Sequence, residues 1–332
     1  MLGTLRSVLS QTYPDLEVVV ADDGSDDRTY EHLQRLTDPR LKVVRSEAPQ
    51  GVAAARNMGA NASSGQILGF CDDDDFWHPD KLSKQIEALK QSPSRWAVSG
   101  SISVDNGLQF LKAAVSPSRD EFLHRLEFGN KVRGGCSNAI MERSLFYEAG
   151  GFDTELSMLA DWDMWIRLAN ISKSPALSDH LGLLYVHHES QMSLDMSDIK
   201  SELTYIRKKH DAARQQYRNP PYERTDIWIV RRLLAAGQRS QALKWAMTHS
   251  SGYLGAAAGL CAIGATLALP HIPSWLQRSS PYEAESLRTI AEVEAVLSQG
   301  AEIDLSDGSK RSETSCSDNE PPGPAPSISN SN

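Results

Sequence analysis

Four consecutive aspartates, Asp72 to Asp75, follow a short apolar segment at residues 67–71. The apolar segment predicts a buried strand, and Pro79 predicts that a helix begins soon afterwards. Adjacent carboxylates repel one another unless a cation neutralises them, and Mg²⁺ and Mn²⁺ prefer oxygen ligands of this kind. The aspartates therefore predict a divalent metal site at the carboxyl edge of an α/β sheet. A solvated acidic turn before a helix is the structural alternative.

A second apolar segment also ends in carboxylates. Residues 16–21 predict a buried strand, and the pair Asp22-Asp23 follows it directly. Helices at 2–10 and 52–62 and a strand at 41–45 complete an alternating pattern. This alternation predicts an α/β fold with a mostly parallel, doubly wound sheet. Two aspartate-bearing strand ends are then expected to converge on the same edge of one sheet.

Composition excludes several classes of protein. The chain has 332 residues, 40% of them hydrophobic, which allows one large domain and an appendage. A net charge of −9 argues against a nucleic-acid partner. Four cysteines without close pairing or zinc spacing suit a reducing compartment. The first residues show no signal peptide, so a cytoplasmic protein is expected.

Three segments together resemble the nucleotide-sugar half of a family 2 glycosyltransferase with a GT-A fold. They read S-V-L-S-Q-T-Y-P-D-L-E-V-V-V-A-D-D-G-S-D-D-R-T, G-V-A-A-A-R-N-M-G-A-N-A-S-S-G and F-C-D-D-D-D-F-W-H-P-D-K-L. Further along, Ser137-Asn138-Ala139 with Gly150-Gly151-Phe152-Asp153 is similar to the acceptor-side segment of that family, and D-W-D-M-W-I-R at 161–167 to its catalytic aspartate helix. The resemblance covers about residues 2–195.

The resemblance implies roles for the acidic run. Asp74 aligns with the direct ligand of Mn²⁺ or Mg²⁺ in a D-x-D pattern, and Asp72 and Asp73 with residues that hold ribose or sugar hydroxyls. Asp75 either positions these residues without binding the metal or the sugar itself, or is an ordinary acid that caps the next helix.

Two further residues resemble contacts to the donor nucleotide. Asp23 matches the family residue that accepts a hydrogen bond from uracil, and Arg56 matches the one that donates to the base or to a nearby phosphate. A surface salt bridge on a helix is the alternative for Arg56. Gly51 is expected in a turn that needs a positive φ.

Asp161 is the candidate general base that takes the proton of the acceptor hydroxyl. An ordinary helix N-cap is the alternative for Asp161, and Asp163 is the rival base. The family often has glutamate before this aspartate, whereas this chain has Ala160. One base and one metal imply a single displacement that inverts the anomeric centre. Four side chains of the helix are expected to pack on the core: Trp162, Trp165, Ile166 and Leu168.

The segment Y-V-H-H-E-S-Q-M-S resembles the closing loop of the family, in which a histidine precedes a serine by five residues. By that spacing His188 aligns and His187 does not. A neutral imidazole at His188 would ligate the metal or contact the diphosphate. A surface loop histidine is the alternative.

The C-terminal third predicts a helical extension at residues 196–299 after a glycosyltransferase domain at 1–195. It contains one tetratricopeptide-like unit, which should pack on the preceding domain. Residues 253–269 carry no charge and are fewer than the roughly 20 residues that a spanning helix needs, so a membrane-surface or partner-binding element or a packed internal helix is expected, and a true membrane span is the remaining alternative. Residues 300–332 are expected to be disordered. Seven basic side chains precede the uncharged stretch: Arg207, Lys208, Lys209, Arg214, Arg218, Arg231 and Arg232.

The sequence thus predicts an inverting, metal-dependent glycosyltransferase of the cytoplasm, peripheral on the inner face of the membrane. It would move a sugar from a nucleoside-diphosphate sugar, UDP-linked, to a glycan or lipid-linked acceptor in cell-surface polysaccharide synthesis. A non-catalytic binding protein with a degenerate domain is the alternative. Family members open with a strand and a P-x-Y-N-like loop, whereas Met1 falls in the first helix. We expect a start that is set too late rather than a lost base pocket.

Overall fold

The computed structural model describes most of the first 211 residues and parts of the rest. The described residues are 1–116, 118, 122, 126, 129–188, 198–211, 229–230, 233, 238–249 and 282–298. The uncharged stretch at 253–269, the predicted tail at 300–332 and the basic residues Arg214, Arg218, Arg231 and Arg232 lie outside them. No helix within the described ranges is both long and apolar enough to cross a membrane.

Helices and strands alternate through the first half of the chain, as the sequence predicted. Gly51 precedes the third helix with φ 94°, so the expected turn with positive φ is present. The elements are α1 (Leu2–Leu9), β1 (Val18–Asp22), α2 (Thr29–Gln34), β2 (Leu41–Arg45), α3 (Val52–Ala62), β3 (Ile67–Gly69), β4 (Phe76–Trp77) and α4 (Lys81–Lys90).

The second half adds two long strands and most of the buried helical surface. A 3₁₀ turn, Gly135–Asn138, leads into the short strand β7. The elements are β5 (Trp96–Asp105), β6 (Phe110–Ala114), β7 (Ile140–Glu142), α5 (Arg143–Glu148), α6 (Ala160–Ser172), β8 (Ala176–His187), α7 (Ile199–Lys209), α8 (Arg239–His249) and α9 (Glu283–Ser298).

The strands form two hydrogen-bonded sheets. β1 and β2 pair in parallel as a two-stranded sheet. The larger sheet has the order β3-β7-β5-β8-β4, with β6 paired to β5. The α/β class is confirmed, but among the described pairs of the larger sheet only β5–β8 is parallel. Apolar runs predict that a strand is buried and do not record its direction, so the antiparallel neighbours of β3, β4 and β5 could not be read from the sequence.

The expectation that both acidic strand ends belong to one sheet is wrong. β1 belongs to the two-stranded sheet, and β3 is an edge strand of the larger sheet. No hydrogen-bonded ladder joins the two sheets in the described part of the chain. Helix α3 connects them instead. Its Gly59 approaches β1 so closely that an added Cβ would lie 3.5 Å from the Cβ of Ala21. One turn earlier on the same helix, Arg56 reaches the acidic run after β3.

Helix α6 lies in the centre of the main core. The side chains of Trp162, Trp165, Ile166 and Leu168 are buried there, as predicted. Trp165 stacks on Trp96 of β5 with ring centroids 5.7 Å apart and an interplanar angle of 11°. Apolar residues of α7 and α8 enter the same cluster, so these two helices share the core of the sheet domain. They are Ile199, Leu203, Ile206, Ala242, Trp245 and Ala246.

The last described helix, α9, packs on α1, β6 and β8. Its Ile290 and Val293 are buried in a second cluster that includes Ile102 and Leu184. A polar contact adds to the packing, because Glu292 lies 2.5 Å from Nε2 of His78. These contacts make α9 part of the same packed body as the N-terminal elements.

Val293→Ala tests this docking. Removing two methyl groups from a fully buried site loses transfer free energy and leaves a cavity, so we expect the free energy of unfolding to fall by about 2 kcal/mol. Leu287→Ala is the matched control on the same helix, because Leu287 is 52% exposed. Urea unfolding compares the two variants. Equal losses would contradict the docking of α9 on β8.

Candidate active site

The four aspartates after β3 point in different directions, and two of them meet predicted site residues. Oδ1 of Asp72 accepts a hydrogen bond of 2.6 Å from Nη2 of Arg56. Oδ2 of Asp74 lies 2.7 Å from Nε2 of His188. Asp73 is exposed, and its main-chain carbonyl accepts a hydrogen bond from Thr4. Separate partners reduce the repulsion that four adjacent carboxylates would otherwise suffer.

Asp75 is fully buried at the end of the run. Its Oδ1 accepts a hydrogen bond of 3.1 Å from the main-chain N–H of Val186, and Oδ2 has no hydrogen-bond partner among the described residues. Burial and the charge of Asp72 hold the pKa of Asp75 well above its usual range. The side chain is therefore neither a solvated turn acid nor a helix cap, and it supports β8 beside His188.

The residues present fit a divalent cation. Asp74 and His188 supply one carboxylate and one imidazole, and Mg²⁺ sites commonly use one or two carboxylates together with substrate phosphates. Within the described ranges no cluster of three or more His, Cys, Asp and Glu side chains could hold a metal. A cation at Asp74 would therefore take its remaining ligands from the substrate and from water.

Arg56 lies between two acidic groups on the inner side of α3. Besides its ion pair with Asp72, its guanidinium carbon is 5.5 Å from the ring centroid of Phe152. Its charge also acts on Asp161, where it opposes protonation. The surface salt bridge considered from sequence is ruled out by this position, since only 13% of the Arg56 side chain is exposed.

Asp23 holds the loop before α3. Its carboxylate accepts hydrogen bonds from the main-chain N–H groups of Gln50, at 3.0 Å, and Gly51, at 2.7 Å, and one of 2.9 Å from the hydroxyl of Ser46. The contacts fix the turn that starts α3 and so the position of Arg56. The contact to a donor base stays a prediction for Asp23.

Asp161 is the second residue of α6 and not its N-cap, which is Leu159. Oδ1 accepts a hydrogen bond of 2.6 Å from the N–H of Trp162, and Oδ2 accepts one of 2.8 Å from Nδ2 of Asn130. Burial raises the pKa of Asp161 to about 6, although Arg56 and both hydrogen bonds oppose the shift. A carboxylate that exchanges a proton near neutral pH is suited to general base catalysis.

Asp163, the rival candidate for the base, is bound by charged side chains of α6 and of the end of α7. It is fully buried, with Oδ2 2.7 Å from Nη2 of Arg167 and Oδ1 2.8 Å from Nε2 of His210. Lys209 lies 2.9 Å from Oδ1 as well. Although burial works against its charge, His210 and these cations lower the pKa of Asp163 to about 2. Asp163 therefore anchors the end of α7 on α6.

Gly135, the first residue of the 3₁₀ turn, makes room for Asp161. Gly134 and Gly135 have φ 80° and 56°, and a Cβ at Gly135 would lie 3.2 Å from Oδ2 of Asp161. Asn138 pins the same loop to β5, because its Nδ2 donates hydrogen bonds to the carbonyls of Ser99 and Arg133. The segment that resembles the acceptor side of the family thus includes the residue that fixes the loop next to the candidate base.

Sequence reasoning missed Asn130 and Lys81. Asn130 lies in a loop without periodicity, and the Gly134-Gly135 pair was the only signal of a close approach nearby. Lys81 is fully buried under the acidic run, where Nζ donates to Oε1 of Gln85 at 2.7 Å and lies 4.1 Å from the ring centroid of Trp77. Burial lowers the pKa of Lys81 to about 7.

Known proteins resemble this chain in sequence. A family model described as Glycosyl transferase family 2 matches residues 1–150. An uncharacterized glycosyltransferase of Haemophilus influenzae is 29% identical over 221 residues, which cover 65% of this chain and 74% of that protein. The Escherichia coli protein named UDP-Glc:alpha-D-GlcNAc-diphosphoundecaprenol beta-1,3-glucosyltransferase WfaP is 28% identical over 142 residues, which cover 43% of this chain and 55% of that protein.

The fold also resembles a solved structure. The mannosyltransferase PcManGT from Pyrobaculum calidifontis, in complex with GDP-Man and Mn²⁺, matches with a TM-score of 0.50 and 22% identity over 88% of this chain and 80% of that chain. The GT-A fold expected from the sequence motifs is confirmed.

Asp161→Asn is predicted to change how stability depends on pH. The folded pKa of about 6 lies above the ordinary value near 3.9, so the contribution of Asp161 to stability is fully present below about pH 4 and is lost as pH rises through about 6. The amide side chain of the variant cannot ionise in this pH range. The difference in unfolding free energy, variant minus parent, should therefore rise by about 1–3 kcal/mol between about pH 4 and pH 7 in urea titrations.

Asp163→Asn is the control on the same helix. Because its folded pKa is about 2, Asp163 stays ionised over this range, and losing the charge next to Arg167 should cost about 3 kcal/mol at every pH tested. A pH-independent difference for Asp161→Asn, like that of the control, would contradict the raised pKa.

Proposed function

We propose that this chain is an inverting, metal-dependent glycosyltransferase, because its residues 1–150 match the model of glycosyl transferase family 2. It moves a sugar from a UDP-linked donor to a glycan or lipid-linked acceptor in bacterial cell-surface polysaccharide synthesis. The named E. coli relative uses UDP-Glc and a GlcNAc-diphosphoundecaprenol acceptor, and this donor and acceptor chemistry is the first to test here.

The observation that carries the proposal is the line of charged groups from Asp161 through Arg56 to Asp72. The pKa of Asp161 responds to the charge of Arg56, and Arg56 donates a hydrogen bond to Asp72 at 2.6 Å. Asp72 is joined through the acidic run to Asp74 and its partner His188. Candidate base, donor-binding residues and candidate metal ligands thus share one end of the larger sheet.

Each residue has a part in the transfer. Asp161 accepts the proton of the acceptor hydroxyl as that oxygen attacks the anomeric carbon, and Asn130 and the N–H of Trp162 hold its carboxylate in place. Asp72 and Asp73 hold hydroxyls of the donor, and Asp74 and His188 would hold a divalent cation. A bound Mn²⁺ or Mg²⁺ would neutralise charge on the leaving diphosphate. Arg56, whose charge opposes protonation of Asp161, keeps the ionised form of the base accessible near neutral pH.

A single base on one face of the sugar favours direct displacement. In that mechanism the acceptor oxygen bonds to the anomeric carbon as the bond to the diphosphate oxygen breaks, so the configuration inverts. Asp163, the other carboxylate nearest in sequence to the base, is held by Arg167 and His210 and does not serve as a covalent nucleophile. A lipid-linked acceptor would bring the protein to the cytoplasmic face of the membrane as a peripheral enzyme.

Asp74→Asn tests the cation site. The parent should bind UDP at least about tenfold more tightly with Mn²⁺ than with EDTA, and the variant should lose this difference because one charged ligand is gone. Isothermal titration calorimetry measures both affinities. Asp179→Asn, an exposed carboxylate of β8, is the matched control and should keep the difference. Equal UDP affinity of the parent in both buffers would rule out a cation-bridged donor site.

Asp161→Asn tests the transfer itself. With UDP-glucose and a synthetic GlcNAc-diphosphate lipid, the turnover should fall by about 10² to 10⁴, because the hydroxyl loses its base. UDP affinity should stay within about twofold of the parent, since the base contacts the acceptor. Transfer at the parental rate would remove Asp161 from the mechanism. A parent that binds UDP but transfers nothing to glycan or lipid acceptors would favour the binding-protein alternative.

A further inference from the structure

Helix α6 begins without a cap of its own. Its N-cap residue is Leu159, which has no polar side chain and makes no side-chain cap hydrogen bond. The first turn of a helix leaves main-chain N–H groups without partners, and the chain that enters the helix is then free to move unless another group binds it. Asp161 lies in this first turn, so its position depends on how the start of α6 is held.

One carboxylate from a different helix holds the start of α6. Oε1 of Glu202, in α7, accepts hydrogen bonds from the N–H and the hydroxyl of Ser157, at 3.1 and 2.9 Å, and from the N–H of Met158, at 3.3 Å. Oε2 accepts one of 2.8 Å from the N–H of Leu159. Four donors on three consecutive residues therefore converge on a single side chain.

The buried carboxylate of Glu202 would lower the stability of the fold if it had no hydrogen-bond partners. The residue is only 6% exposed, and its neighbours Leu203 and Ile206 are in the main core. A buried carboxylate needs several hydrogen bonds to offset its lost hydration, and the segment before α6 supplies them. A negative charge next to a helix N-terminus is also favourable because it opposes the helix dipole.

We propose that Glu202 is a positioning residue for the transfer reaction: from the helical part of the chain after the sheet domain, it fixes the start of α6 and thereby the carboxylate of Asp161. The inference rests on the proposed function, in which Asp161 is the base. Asn130 and the N–H of Trp162 orient that carboxylate locally, whereas Glu202 sets where the helix that carries it begins.

A second set of contacts keeps α7 in register with α6. Lys209 pairs with Asp153 and with Asp163, and His210 also contacts Asp163. α7 is thus attached to the region 153–167 at both of its ends. Movement of α7 would act on α6 through Glu202 at the end where Asp161 lies.

Glu202→Gln tests the proposal with little change of shape. The amide keeps one acceptor but turns an NH₂ group toward main-chain donors, so at least one of the four hydrogen bonds is lost. We expect kcat to fall about 10- to 100-fold, the effect of misplacing a catalytic group by about 1 Å. KM for the UDP-sugar donor and UDP affinity should stay within about twofold.

Hydrogen–deuterium exchange provides a readout that does not depend on catalysis. In Glu202→Gln, amides of residues 157–159 should exchange faster than in the parent, while those of β5 should not change. Glu155→Gln is the matched control. Glu155 and Glu202 both line a cavity of about 280 Å³, so the control makes the same charge change in the same place. Because Glu155 is exposed, neither kcat nor the exchange rates should change. If Glu202→Gln does not fold, Ser157→Ala removes a single donor and should lower kcat about two- to threefold.

The outcomes separate this inference from the function on which it rests. Faster exchange together with a selective loss of kcat supports the positioning role. Unchanged exchange, or faster exchange with parental kcat, would overturn it while leaving the transferase proposal intact. Equal losses in kcat and in donor affinity would mean a general structural role and would also overturn it. A parent without any transfer activity would overturn the proposed function and this role with it.

Discussion

The ion pair between Arg56 and Asp72 joins the two halves of the sheet architecture. β1 and β3 belong to separate hydrogen-bonded sheets, and helix α3 packs on the first while its arginine binds the acidic run after the second. The same arginine influences the ionisation of Asp161. The guanidinium of Arg56 thus links α3 to the acidic run after β3 and offsets the charge of the carboxylates concentrated there.

Two carboxylates two residues apart on α6 illustrate how environment assigns roles. Asp163 is surrounded by Arg167, Lys209 and His210, so its pKa lies near 2 and its charge is fixed. Asp161 has hydrogen-bond donors but, among the residues that the structure describes, no directly bonded cation, and burial raises its pKa to about 6. The first carboxylate stabilises the packing of α7 on α6, and the second keeps the proton affinity that a general base needs.

Much of the site was predictable because it depends on local residue order. The acidic run, Arg56 on a helix and the aspartate at the start of α6 all follow apolar patterns that mark their elements. His188 was predicted from its spacing to a serine, and the structure brings it within 2.7 Å of Asp74. Their roles in binding donor, metal and acceptor stay predictions.

The remaining features depend on distant parts of the chain. Glu202 lies 43 residues beyond Leu159 on an amphipathic helix, where a glutamate is expected to face solvent. Asn130 belongs to a loop whose path is set by two glycines with positive φ. The antiparallel strands next to β5 arise because β6 and β7 return along it, which apolar runs do not encode. Tertiary contacts, and not local propensity, decide each of these.

The anomeric configuration of the product tests the central claim most directly. An enzyme with Asp161 as its only base, acting on an α-linked UDP sugar, should give a β-linked product. Proton NMR of the first product formed from UDP-glucose and a GlcNAc-diphosphate lipid would show this in the coupling constant of the anomeric proton. A β-linked product that forms only with Mn²⁺ or Mg²⁺ is the predicted result. An α-linked product would require a second nucleophile, or another retaining mechanism, and would contradict the account.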